Sequence, residues 1–172
     1  MKEILKVAAY LFVVCAVAGV ALSGTNHFTY GRIMEQKAAA EKQALREVLP
    51  SASTFRREED YQVGLDESGN PVGYVLKVTA VGYSGKIEAL VGIDPRFNVT
   101  GLKVLSQTET PGLGAKITKG PFLDQFKGLA PEAVRLKKDG GSVDAITAAT
   151  ISSRAIVNAT RERIDEFKKT VR

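Results

Sequence analysis

Two short stretches carry most of the chemistry available to this chain. DAITAATISS, Asp144 to Ser153, sets the hydroxyls of Thr147, Thr150, Ser152 and Ser153 close together. TETPGLGAK, Thr108 to Lys116, places Glu109 and Thr110 ahead of a glycine-rich turn. The first stretch opens with a strand-like VDAI and runs into a helical tract, so Thr150 is expected at or just before a helix N-terminus. Hydroxyls there are ordinary caps for unpaired backbone N–H groups. The same geometry also makes an anion site, because a phosphate meets free donors and the positive end of the dipole. The spacing leaves both readings open. A threonine nucleophile would need a base, and the single histidine, His27, lies beside an apolar N-terminal segment.

Several chemistries are excluded. One cysteine, Cys15, and one histidine cannot supply a zinc site or a cysteine-ligated cluster within one chain, and no internal disulfide is available. GLGAKIT, Gly112 to Thr118, lacks the spacing of a Walker loop, and Ile117 stands where the third glycine of a dinucleotide fingerprint belongs. GYSGK, Gly82 to Lys86, sits between strand-like runs and reads as a turn. In TETPGLGAK, Pro111 fixes a turn, Gly112 is free to take positive φ, and Gly114 lets a flat group approach the backbone. A plain structural loop is the ordinary reading of such a stretch.

The elements that must position these residues are legible from periodicity. From Tyr61 to Ser106, short runs rich in Val, Ile and Tyr alternate with DESGNP, GYSGK and DPRFN, which are turn chemistry. This predicts an antiparallel meander of about four strands. The last tract, SSRAIVNATRERIDEFKKTV, puts Ala155, Ile156, Ala159, Ile164 and Phe167 on one face for packing against a sheet. The expected fold class is α+β: an N-terminal transmembrane helix, then a small antiparallel sheet with helices on one side or end.

No charged side chain occurs from Val7 until Arg32, enough apolar chain to cross a bilayer as a helix. Lys2, Lys6 and the terminal amine favour a cytoplasmic N-terminus, which exports the remainder. AVA at Ala16 to Ala18 offers a signal-peptide reading, but the uncharged run continues past it, so an uncleaved anchor is expected. Cys15 then faces lipid or another helix. GRIMEQKAAAEKQALREVLP is rich in helix formers, with Ile33, Ala40, Ala44 and Val48 as a weak apolar stripe and Pro50 at its end. It reads as a solvated connecting helix. With 44% hydrophobic and 25% charged residues the chain is globular. The net charge of +5 suits anionic lipid or phosphate, but the lysine-rich stretches also suit solvated surface. Export and the lack of a recognition motif argue against nucleic acid.

TAAT after Asp144, followed by ISS, resembles the flavinylation motif of the FMN-binding domain family, in which [Ser/Thr]-Gly-Ala-Thr holds FMN through a phosphoester to its last threonine. Together with ETPGLG, the anchor and the chain length, it is similar to the G-subunit family of Rnf-type ion-translocating ferredoxin:NAD⁺ oxidoreductase complexes. The C subunit of the sodium-translocating NADH:quinone reductase shares the motifs but is expected to be longer.

The resemblance implies covalent FMN on Thr150, with Asp144, Thr147 and Ala149 as its recognition motif. Glu109, Thr110, Gly112, Leu113 and Gly114 would form the loop beside the flavin. Capping geometry adds Ser152 and Ser153 near the phosphate. No catalytic residue and no metal are expected; by the resemblance the chain would be an electron-transfer subunit rather than a standalone catalyst. Its partners would be other Rnf subunits, a flavin transferase that supplies FMN from FAD, and the lipid bilayer. The implied organisation is a cytoplasmic N-terminus and anchor in 1–26, a juxtamembrane helix in 27–50 and an FMN-binding domain in 51–172. The domain would lie on the periplasmic or extracellular side of a bacterial cytoplasmic (inner) membrane. Ala148 departs from the motif, standing where glycine is commonest; it costs stability if the position needs positive φ. The alternatives are a flavin-free structural subunit of a membrane complex, the related C subunit of a sodium-translocating NADH:quinone reductase, and a standalone extracellular flavoprotein reductase domain.

Overall fold

The computed structural model describes residues 1–171; Arg172, the last residue of the expected domain, lies outside the described residues. Helix α1 runs without a break from Lys2 to Val48, so the expected anchor and juxtamembrane segments share one helix. It is long and apolar enough to cross a membrane by length and composition. The chain divides into two units, 1–40 and 41–171 of the described residues, so the last turns of α1 belong to the second.

The second unit is built on five antiparallel strands whose spatial order equals their chain order. These are β1 (Thr54–Arg57), β2 (Tyr61–Leu65), β3 (Pro71–Val81), β4 (Lys86–Ile93) and β5 (Val99–Gln107). The four-strand meander expected from Tyr61 onward is present, and β1 is an addition at its edge. Turn chemistry fixes the register. In DESGN, Asp66 Oδ1 accepts the N–H groups of Ser68 and Asn70, and Gly69 takes φ 83°. DPRFN repeats this with Asp94 accepting from Arg96 and Asn98, but here Phe97 takes φ 68°. A phenylalanine is costly in that conformation. Its ring packs against Phe167 at 6.3 Å, and Lys168 Nζ lies 5.5 Å from the ring centre. The third turn is GYSGK, where Gly82 N–H donates to Gly85 O at 2.8 Å.

Helix α3 (Thr150–Thr170) packs on one face of the sheet and buries Ile156, Val157, Thr160, Ile164 and Phe167, with Ala155 and Ala159 at the margin. The expected apolar face is therefore the packing face. The other face is not bare. Ala44, Leu45, Val48 and Leu49 pack on Val75 and Leu90, and Thr100 Oγ1 donates to Val48 O. Half of the weak stripe in the connecting helix is thus buried, while Ile33 and Ala40 remain exposed. Between β5 and α3 the chain forms α2 (Gly120–Leu123) and short 3₁₀ turns that bury Phe122, Phe126, Val134 and Leu136. The strand expected at VDAI is reduced to a single parallel bridge between Val143 and Leu136. Val143 pairs its N–H with Arg135 O and its carbonyl with Lys137 N–H, after which the chain turns toward α3.

Leu49 is fully buried beneath β2 and β3. Leu49→Ala should cost about 3 kcal/mol, as for other core truncations, seen as a lowered melting temperature of the full-length protein. The end of α1 is also held by Lys103, whose ammonium lies 2.6 Å from Glu47 Oε2 and keeps that carboxyl below its ordinary 4.5, against the opposing effect of burial. A depressed carboxyl stabilises the fold above its unfolded value and loses that contribution as pH falls through its folded value. Both side chains are over a third exposed, so the effect is a few tenths of a kcal/mol. The melting-temperature gap between wild type and Glu47→Gln should close as pH is lowered from about 6 to about 3; a gap independent of pH would contradict the ion-pair account.

Candidate functional site

A tight turn delivers the chain into α3. Ala149 N–H donates to Ile146 O, and between them Ala148 sits at φ 63°, the left-handed conformation that glycine tolerates best. Ser153 locks this turn from inside: its Oγ accepts Ile146 N–H at 3.1 Å and donates to Ala149 O at 2.9 Å. Ala148 therefore holds the backbone that a glycine would, at a cost in strain.

The cap of α3 is Ala149, with no side-chain hydrogen bond to the helix end. Thr150, Ser152 and Ser153, each an expected cap candidate, do not serve as one. Thr150 is the first helical residue, Ser152 and Ser153 lie further in and are buried, and their hydroxyls are engaged elsewhere. Among the described residues the N–H groups of Thr150, Ile151 and Ser152 have no protein partner, nor does Thr150 Oγ1. Elsewhere in this helix Thr160 donates back to Ile156 O, so the free hydroxyl of Thr150 is not the habit of its threonines.

This helix end opens into a cleft of about 460 Å³. One wall is Ala148, Ala149, Thr150, Ile151 and Ser152; the other comes from Glu109, Thr110, Leu113 and Gly114, with Tyr83 from the β3–β4 turn at the rim. Segments far apart in the sequence are thus brought together. Glu109 is 5% exposed, and its two carboxylate oxygens accept Ser84 N–H at 3.0 Å and Ser152 Oγ–H at 2.5 Å. Thr110 O accepts from both Leu113 and Ala115, and Gly112, at φ 78°, allows the reversal that presents Leu113.

Not every expected residue lines the cleft. Asp144 is exposed, paired with Lys137 at 2.6 Å, and its N–H donates to Gln125 Oε1. Thr147 is exposed at the turn, and Gly112 and Ser153 shape the backbone without reaching the opening. Conversely, Tyr83 and Ile151 were not singled out from sequence. Their exposures, 72% and 58%, with 43% for Leu113, give the cleft an apolar rim. An exposed aromatic in a glycine-flanked turn was the available signal for Tyr83.

The residues present fit FMN. Unpaired N–H groups and the positive end of α3 suit a phosphate, the apolar rim suits a flat ring, and Thr150 lines the same cleft. The chain matches the FMN-binding domain family over residues 82–165 and the RnfG N-terminal region over residues 1–48. An FMN-binding fold behind an apolar N-terminal helix defines a membrane-anchored flavoprotein class. The chain is 41% identical to the G subunit of the ion-translocating oxidoreductase complex of Methanosarcina acetivorans, covering 95% of this chain and 94% of that one. To the G subunit of the Na⁺-translocating ferredoxin:NAD⁺ oxidoreductase complex of Acetobacterium woodii it is 34% identical, over 97% and 93%. The chain belongs to the G-subunit family of ion-translocating oxidoreductase complexes. Its fold is also that of the C subunit of the Na⁺-translocating NADH-quinone reductase from Parabacteroides distasonis (TM-score 0.57, 18% identity, 80% of this chain and 95% of that one).

Because Ala148 is held at positive φ, Ala148→Gly should stabilise the protein by about 1 kcal/mol, since the relief of a left-handed alanine exceeds the entropy that glycine adds to the unfolded chain. The measurement is the melting temperature of full-length protein, which should rise; a fall would mean the turn is not left-handed.

Proposed function

We propose that this chain is the covalent flavoprotein subunit of an Rnf-type ion-translocating ferredoxin:NAD⁺ oxidoreductase complex, relaying electrons between neighbouring subunits. The observation that carries the proposal is a free threonine hydroxyl at an uncapped helix N-terminus, opening into a cleft with an apolar rim. FMN supplies the one-electron and two-electron chemistry when bound, a capacity no side chain here provides. Thr150 supplies the tether. A flavin transferase would supply FMN from FAD, with the phosphoester to the Thr150 oxygen replacing the pyrophosphate bond and AMP as the leaving group. The hydroxyl proton passes to the transferase, so this chain needs no base of its own.

The backbone N–H groups of Thr150, Ile151 and Ser152 would hold the phosphate, and Tyr83, Leu113 and Ile151 would offer the ring an apolar surface. Ser153 keeps the turn before Thr150 in shape, and Asp144, exposed outside the cleft and paired with Lys137, would be read by the modifying enzyme rather than by the flavin. The N-terminal residues lie in the cytoplasm, with the anchor within 1–26 and the juxtamembrane part in 27–50. The FMN domain, 51–172, works at the outer face of the cytoplasmic membrane, where a covalent bond keeps the cofactor from diffusing away. Ala148 is the one departure from the motif that favours a flavin-free subunit; because it keeps the left-handed turn, that departure no longer counts against the flavin reading.

The full-length protein expressed in membranes with a flavin transferase should gain the mass of FMN and fluoresce in a gel, and Thr150→Ala should lose both. An unmodified wild type, with the transferase active on a control substrate, would overturn the proposal.

A further inference from the structure

Glu109 is the only buried charged side chain among the described residues, and it lies in the wall of the cleft. No cation stands within ion-pair distance of it among those residues. Burying a carboxylate without a cation is costly, and a neutral residue would ordinarily serve better for stability alone. Yet the surroundings are built for it. A side chain at Gly82 or Gly114 would run into its carboxylate, so two elements leave room for this one group. Each oxygen has its own donor: Ser84 N–H from the tip of the β3–β4 hairpin, and the Ser152 hydroxyl from the first turn of α3. Glu109 N–H in turn donates to Gln107 Oε1, which fixes the start of its loop.

We propose that Glu109 is a positioning residue of the flavin site with two effects. Its carboxylate clamps the hairpin tip to the first turn of α3, which keeps Thr150 and the free N–H groups beside it in one orientation toward the cleft. Its negative charge also makes the bound flavin harder to reduce, because reduction adds negative charge to a site that already holds some. The inference rests on the FMN reading above. Clamp and charge are separable. Glutamine at this position retains an acceptor for Ser84 and a donor for Ser152 but carries no charge; alanine retains neither.

The test uses full-length protein matured in membranes with a flavin transferase, comparing wild type with Glu109→Gln and Glu109→Ala. Intact mass followed over time gives the rate of flavin attachment, and a spectroscopic redox titration gives the flavin midpoint potential. Glu109→Gln should be modified within about twofold of the wild-type rate but shift the reduced-to-oxidised ratio about tenfold toward reduced at fixed potential, on the order of 30 mV for a two-electron couple. Glu109→Ala should be modified about tenfold more slowly or worse. A glutamine variant with the wild-type potential overturns the proposed charge effect, and it does so even if the alanine variant fails to fold. Wild-type attachment kinetics in a folded alanine variant overturn the clamp. A modified wild type beside either result leaves the FMN reading standing, whereas an unmodified wild type with active transferase sinks both together.

Discussion

The end of α3 begins without a cap, and the site is arranged around that fact. An alanine stands where a hydroxyl or carboxylate would normally receive the first backbone donors, so three N–H groups and the positive end of a 21-residue helix face a cleft. Such an end is stable when something negative meets it. Thr150 is the first residue of that helix, and a phosphate esterified to its oxygen would lie close to those donors. The proposed covalent attachment and the electrostatic binding would therefore use the same few atoms.

The rest of the domain holds this helix end still. The meander supplies a floor, and α3 is pinned along it from Ile156 to Phe167, so its first turn is held by packing far from the site. The approach to Thr150 is fixed by a left-handed Ala148 and by Ser153, which satisfies both sides of the turn. Glu109 ties the opposite wall to Ser152. A strained alanine and a buried charge, two locally unfavourable features of this domain, both occur within the site, where the stability of the surrounding core offsets them. The rim, formed by the exposed Tyr83, Leu113 and Ile151, remains open.

Much of this was legible in the sequence because its causes are local. Asp66 and Asp94 announce their turns by hydrogen bonding their own backbone, and alternation and period separate the strands from α3. The position of Thr150 at a helix start followed from the change of period at ISS. What escaped detection depends on distant partners. β1 carries one apolar residue in four and exists because β2 offers it an edge. The last turn of α1 looks solvated until the sheet presents Val75 and Leu90 to it. Whether any hydroxyl caps α3 is not legible locally, because three of them look equivalent; Glu109, far away in the sequence, decides that Ser152 turns toward it. Tyr83 joins the site through the β3–β4 hairpin, which no spacing rule connects to Thr150.

Fragment-ion mass spectrometry on the tryptic peptide from Asp139 to Arg154 of the mature protein tests the central claim most directly. This peptide contains Ser142, Thr147, Thr150, Ser152 and Ser153, five hydroxyls within one stretch. The geometry predicts an FMN phosphate on Thr150 and on none of the others, because Thr150 alone joins a free hydroxyl to the open donors of the helix end. Flavin on Thr147 or a serine, or a peptide that carries no flavin in a protein that fluoresces, would contradict it.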